Sequence, residues 1–165
     1  MTTAPRTRSA AENEEVRLGV TSLSQYIKQQ NCDRYLRFRL RRDEEKALTD
    51  KWGVTIQPLT PLLKEEGLDF ESKVVAHIAA DGGRVVDLDG QDESLTMLWM
   101  QTVQSQTLLV QPSIGGHIGG VRFSGRADLV LLWRGDDEAL CGVIADVKAS
   151  RVERMEHRLQ VAAYA

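Results

Sequence analysis

Hydrophobic positions along the chain repeat with two different periods, and the shorter period gathers near the C-terminal end. Leu129 to Trp133 and Cys141 to Val147 are apolar runs rich in strand formers, and they flank the turn-prone cluster Arg134-Gly135-Asp136-Asp137-Glu138. That arrangement predicts a β-hairpin. A turn centred on Asp137 sets Asp128 directly opposite Asp146 on one face of the two strands. Lys148 lies two residues past Asp146, so the strand period keeps it on the same face. Upstream, Leu108 to Gln111 predicts a brief strand ending at Pro112, Val85 to Leu88 a short one, and Val121 to Phe123 a lead into the hairpin. Gly115-Gly116-His117-Ile118-Gly119-Gly120 matches neither phosphate-binding glycine pattern and opens no helix, so it is expected to be a flexible hairpin loop.

The helical period appears four times. Ser22-x-x-Gln25 resembles a capping box, predicting a short helix through about Gln30. A long helix is expected from Thr60, as cap, and Pro61 to a stop at Asp81-Gly82-Gly83, with Leu62, Leu63, Leu68, Val74, Val75 and Ile78 on its apolar face. Residues 92–106 place Leu95, Leu98, Trp99, Thr102, Val103 and Gln106 at helical spacing. Arg151 to Ala165 closes the chain as a helix carrying Gln160 and Tyr164 on one face. The expected fold is α/β, a central mixed, largely antiparallel sheet flanked by helices, with residues 1–15 a disordered tail and residues 16–165 one domain. No internal repeat is visible.

Length and composition add bounds. The 165 residues, 42% of them hydrophobic, suffice for one domain with a core. A net charge of -3 argues against a wholesale basic coat but leaves room for a local basic groove. No apolar run is long enough to span a bilayer and no signal-peptide core opens the chain, so no membrane partner and a cytoplasmic location are expected. Cys32 and Cys141, far apart in unlike contexts, make no disulfide framework.

Directly opposed carboxylates repel, so Asp128 and Asp146 call for a compensating cation, either a hard divalent metal or Lys148. Arg34 to Arg42 holds five arginines interleaved with Tyr35 and Phe38. Two readings of it stand side by side: phosphate contact with stacking on bases, and a solvated arm neutralised by Asp43, Glu44 and Glu45. Glu71, taken alone, reads as one more solvated helix carboxylate, and His77 on the same helix as structural or exposed. Without a Gly-x-Ser-x-Gly elbow or a Cys-His pair, acyl transfer has little support.

Taken together, Gly125-Arg126-Ala127-Asp128, Asp146-Val147-Lys148 and Gln160-x-x-x-Tyr164 resemble the ordered motifs of the PD-(D/E)XK nucleases, in particular the RecB-like branch, over about residues 20 to 165. Within that branch the chain is similar to nucleases often fused to helicases. The resemblance implies a restriction-endonuclease-like core and a Mg²⁺- or Mn²⁺-dependent deoxyribonuclease of repair, recombination or defence. Its metal ligands would be Glu71, Asp128, Asp146 and the Val147 carbonyl, with Lys148 handling the attacking water. Gln160 and Tyr164 would position DNA, as single strands or duplex ends, with Arg34, Arg37 and Arg39 as further contacts. Many RecB-like members carry histidine where this chain has Glu71, four residues after Gly67. Some members hold an iron–sulfur cluster, for which Cys32 occupies the first cysteine position, and a longer native chain would have to supply the rest. The helix ending at Ala165 without a cap gives the expectation of a chain that continues, with a helicase domain or subunit as partner. The alternatives are a non-catalytic nucleic-acid-binding module on the same fold and, third, a hydrolase of small phosphoesters.

Overall fold

The structure is a computed structural model. It describes residues 15–53, 61–80 (backbone alone for 61–64), 82–148, 152 and 154–165. Residues 1–14 of the expected 1–15 tail, the Thr60 cap, Asp81, Arg151 and the side chains of Leu62 and Leu63 lie outside the described residues, whereas Glu15 is described and pairs with Arg17 and His117.

The chain is α/β. Its described elements run β1 (Arg17–Gly19), α1 (Val20–Lys28), α2 (Asp33–Leu40), α3 (Arg42–Trp52), α4 (Pro61–Ala80), β2 (Arg84–Asp87), α5 (Glu93–Thr102), β3 (Thr107–Val110), β4 (Ser113–Ile118), β5 (Val121–Arg126), β6 (Leu129–Arg134), β7 (Leu140–Ala145) and α6 (Met155–Ala162). The strands form two mixed sheets, ordered β1-β5-β4 and β2-β3-β6-β7. β1 pairs parallel to β5 and β2 parallel to β3, while the other three pairings are antiparallel.

The two sheets meet in one bent ladder. Val110 pairs with Leu129 in one sheet and Ser113 with Arg126 in the other, with the register unchanged between them. Across the join, Gln111 N–H donates to the Asp128 carbonyl at 2.9 Å and Ala127 N–H to the Pro112 carbonyl at 3.1 Å. Two residues force the bend. Pro112 has no N–H to give to the ladder, and Gln111 sits at a φ of 54°, a left-handed conformation that side chains other than glycine adopt at a cost. The buried face changes at this join: odd-numbered Phe123 turns inward in β5, whereas even-numbered Val130 and Leu132 do so in β6.

The core gathers where sheet and helices close on this bend. Val20, Leu88, Val103, Leu109, Ala127, Val130, Leu132 and Tyr164 form one buried cluster, with Leu95, Trp99, Phe123 and Ile144 packed against it. Arg134 ties the end of α5 to β6, donating to the Val103 carbonyl and the Gln101 carbonyl at 3.1 Å each. Those carbonyls belong to the last turn of a helix, which has no partners of its own for them.

Several expected boundaries shift. Helix α1 begins at Val20 behind Gly19, with no side-chain cap, so Ser22 lies inside the first turn rather than capping it. Strand β1 feeds straight into the helix and leaves no room for the capping box. Helix α5 starts after Asp92, whose side chain accepts from Leu95 N–H, and stops at Thr102, so Gln106 lies outside it and Leu98 is exposed. The glycine stretch is mostly strand: β4 runs through Gly115, Gly116 and His117, and Gly119-Gly120 alone makes the turn. Both glycines have positive φ (57° and 78°), the geometry that closes a two-residue hairpin between paired Ile118 and Val121. On α4, Leu68 is exposed while Val74, Val75 and Ile78 are half-buried.

Candidate active site

The β6–β7 hairpin has the register expected of it. Leu129 pairs with Ala145 at the ends of the strands, and one step further along the same register stand Asp128 and Asp146. Both have left the ladder, which frees their carboxylates to turn into the space beside the bend.

Lys148 joins the two carboxylates. Its Nζ lies 2.7 Å from Asp146 Oδ1 and 3.8 Å from Asp128 Oδ2. The remaining contacts come from backbone and from α6. Val147 N–H donates to Asp128 Oδ2 at 2.6 Å, and Gln160 Nε2 donates to Asp146 Oδ1 at 3.2 Å. Asp146 Oδ2 is buried and has no hydrogen-bond partner, in a side chain that is 5% exposed. A buried carboxylate oxygen without a donor is costly, and since Lys148 and Gln160 both meet Oδ1, Oδ2 is the atom of this carboxylate left open to a proton or a cation.

Asp128 carries the same signature. Burial pushes its carboxyl up from the ordinary 3.8 to about 6, the Val147 N–H and Lys148 pull it down, and the neighbouring Asp146 pushes it up. One ammonium, 38% exposed, does not balance two carboxylates out of water.

Tyr164 braces the site from behind. Its hydroxyl donates to the Arg126 carbonyl at 2.7 Å, its ring is buried, and burial pushes the phenol up to about 12. Gly125 is the residue that lets it in. A Cβ built there would stand 2.8 Å from the Tyr164 hydroxyl oxygen and 3.1 Å from the Val20 Cβ. The Gly125→Ala variant is therefore expected to lose about 1–3 kcal/mol of stability through overpacking. Chemical denaturation of the variant against wild type checks this, and Tyr164→Phe in the same background should recover little because the ring stays.

Glu71 reaches the site at second hand. Its Oε1 accepts from Gln111 Nε2 at 2.9 Å, and Gln111 is the residue opposite Asp128 at the bend. Among the described residues, no group of three or more histidine, cysteine, aspartate or glutamate side chains is arranged to hold a metal ion. Gln111 thus links Glu71 to the Asp128 backbone, while Lys148 joins Asp128 to Asp146. Gln111 escaped the sequence reading. Its one signal was a polar residue between an apolar strand and Pro112.

The remaining candidates lie elsewhere. Arg37 and Arg41 pair with Glu44, at 2.9 and 2.7 Å, and Arg39 stacks on Tyr35 and faces Glu45 at 3.8 Å. Arg34 on the same helix is exposed, and α2 and α3 together replace the expected arm. His77 and Cys32 are exposed, and Cys141 is half-buried in β7. No helix among the described residues is long and apolar enough to cross a membrane.

No family model, curated protein or solved structure matches this chain.

Proposed function

We propose that the chain is a metal-dependent nuclease that hydrolyses DNA phosphodiester bonds, of the RecB-like PD-(D/E)XK kind. The observation that carries this reading is the crowded pair of carboxylates: a buried Asp146 Oδ2 without a hydrogen-bond donor beside an Asp128 whose carboxyl burial pushes up to about 6. A hard divalent cation fits this donor set of carboxylate oxygens. Asp128 and Asp146 would hold it, with the Val147 carbonyl beside them, and Glu71 would act through the Gln111 amide.

When bound, Mg²⁺ or Mn²⁺ supplies positive charge at the phosphate and makes a water more acidic. The chain's own groups do the rest. Lys148, anchored on Asp146, is placed to orient the attacking water and to offset charge that builds on the phosphate. Gln160 fixes the orientation of Asp146, as an outer partner does for a ligating carboxylate. Tyr164 locks the strand that delivers Asp128 by holding the Arg126 carbonyl.

The test is cleavage of labelled single- and double-stranded DNA in Mg²⁺, Mn²⁺ or EDTA, by wild type and by Lys148→Ala. Wild type should cut with metal and not with EDTA. Lys148→Ala should lose about 10²–10³ in rate while keeping its Mn²⁺ affinity, the pattern of a group used in the transition state. Wild-type rates in Lys148→Ala would remove its catalytic role. A non-catalytic nucleic-acid-binding module on this fold is the second reading, favoured by Glu71 being engaged with Gln111 instead of converging on the aspartates. DNA binding without cleavage in either metal would select it.

A further inference from the structure

The smaller sheet has one face that the active site does not use. Its pairings set Arg17, Arg122 and His117 in one row across the three strands and Gly19, Ser124 and Gly115 in the next. Arg126 and Ser113 follow, and the rung after them is the bend with Gln111 and Asp128. Alternation along the strands puts these residues on the same side, opposite Leu18 and Phe123, which face the core. The middle row carries two glycines and a serine, so the face is a trough with arginines at both ends. Arg122 and Arg126 are four residues apart, about 13 Å along the strand.

Two concavities open on this trough. One, of about 710 Å³, lies between Arg126, Ser113 and the start of α5. The other, of about 1140 Å³, lies between β1 and the α2–α3 corner, where Arg39, Arg41 and Arg42 line it. Ser124 borders both, so the two adjoin at the middle row, and the first extends to Arg126 and Ser113, the rung before the bend.

Carboxylates already occupy this path. Glu93 pairs with Arg122 and its carboxylate lies against Gly115, Asp89 pairs with Arg126, and Glu15 takes both Arg17 and His117. Glu44 takes Arg37 and Arg41. Arg42, exposed on the rim, has no ion pair among the described residues.

We propose that this trough is the track along which a nucleic-acid backbone reaches Asp128, with phosphates displacing Glu93, Asp89 and Glu15 from their arginines. The proposal rests on the nuclease reading of the adjoining site. A phosphodiester offers charged oxygens that suit the planar guanidinium fork at each of those positions. A floor without large side chains admits a chain lying flat against the sheet. Because nearly every arginine arrives already paired, binding is set by exchange of one anion for another. The internal carboxylates are therefore competitors, and removing one should strengthen binding.

Fluorescence anisotropy of a labelled 20-nucleotide DNA strand in EDTA reads this without cleavage. Arg122→Ala and Arg126→Ala should each weaken binding about 5–10-fold and lower the salt slope by about one. Glu93→Gln should tighten it about 3–10-fold, an effect that a damaged fold cannot produce. Lys28→Ala, on α1 away from the trough, should change affinity less than two-fold. Wild-type affinity in both arginine variants, or no tightening in Glu93→Gln, would overturn the track. So would displacement by polyglutamate as effective as by unlabelled DNA, which would indicate an acidic protein partner instead. The nuclease reading fails separately, on absence of cleavage in Mn²⁺.

Discussion

Exchanging Asp146 for asparagine is expected to abolish metal-dependent cleavage and, with it, the stabilisation of the protein by Mn²⁺. The substitution keeps the shape of the side chain and an oxygen for Gln160 and Lys148, which both contact Oδ1 in wild type. It removes the charge on the buried oxygen that has no partner. A ligand that binds only the folded state at 100 times its Kd adds about 2.7 kcal/mol. For a domain of this size that corresponds to a rise of about 5–10 °C in Tm. Wild type should show such a rise on Mn²⁺ addition and Asp146→Asn should show almost none. In EDTA the variant should be as stable as wild type or more so, because one of two facing like charges is gone. Cleavage should fall by about 10³ or more, a loss comparable with removing a group that stabilises the transition state directly. The opposite signs of the two effects separate a site held for function from one held for stability. An equal Mn²⁺ shift in wild type and variant would end the case for a metal at Asp146.

How much of this site could be read from the chain differs from residue to residue. Asp128 and Asp146 were legible because hairpin register is arithmetic: the charged cluster around Asp137 marks the turn, and the pairing of Leu129 with Ala145 follows. Lys148 was legible as close to Asp146, and Gln160 and Tyr164 as sharing a helical face, since both relations are local. What the two do with that face was not. Gln160 turns to Asp146, and Tyr164 is buried against Gly125 with its hydroxyl on a carbonyl of β5. Those contacts span 14 and 38 residues, and no local period encodes them.

The same limit explains Glu71. Its position on α4 was clear, but its partner depends on Gln111 adopting a left-handed backbone at the bend. The bend itself divides the expected central sheet into two while leaving the β3–β4 and β5–β6 ladder in register. The α/β class was legible from alternating periods. The split was not, because it depends on the left-handed φ of Gln111 as well as on the missing N–H of Pro112. The arginine-rich stretch shows a third kind of limit. Composition alone left phosphate contact and self-neutralisation equal; the Arg41–Glu44 pair is local, but the pairing of Arg37 with the same Glu44 depends on how α3 turns back from α2.

The metal-free protein is expected to lose stability as pH rises from about 4.5 to 7, contrary to the common behaviour of carboxylates. The cause is Asp128, whose folded-state value of about 6 lies above the ordinary 3.8 because burial disfavours its charge. A raised value means the folded state holds the proton more tightly than the unfolded chain does. The resulting stabilisation is complete below the unfolded value and is lost as pH passes through the folded one. A shift of this size is worth about 3 kcal/mol at most, before solvent screening lowers it. Other groups act in a different window. Glu15, Glu44 and Asp92 are lowered by His117, Arg41 and Ser94 respectively, so their contributions are present above the ordinary carboxylate range and fade only in more acid solution. Urea unfolding in EDTA at pH 4.5, 6 and 7.5 reads the difference directly. Wild type should weaken across the series, and Asp128→Asn, which cannot charge, should stay nearly flat. With Mn²⁺ present the wild-type trend should reverse above pH 6, since only the ionised carboxylate binds a metal ion. Parallel curves for wild type and Asp128→Asn in EDTA would show that Asp128 ionises without strain, and the charge imbalance proposed as the basis of the metal site would disappear with it.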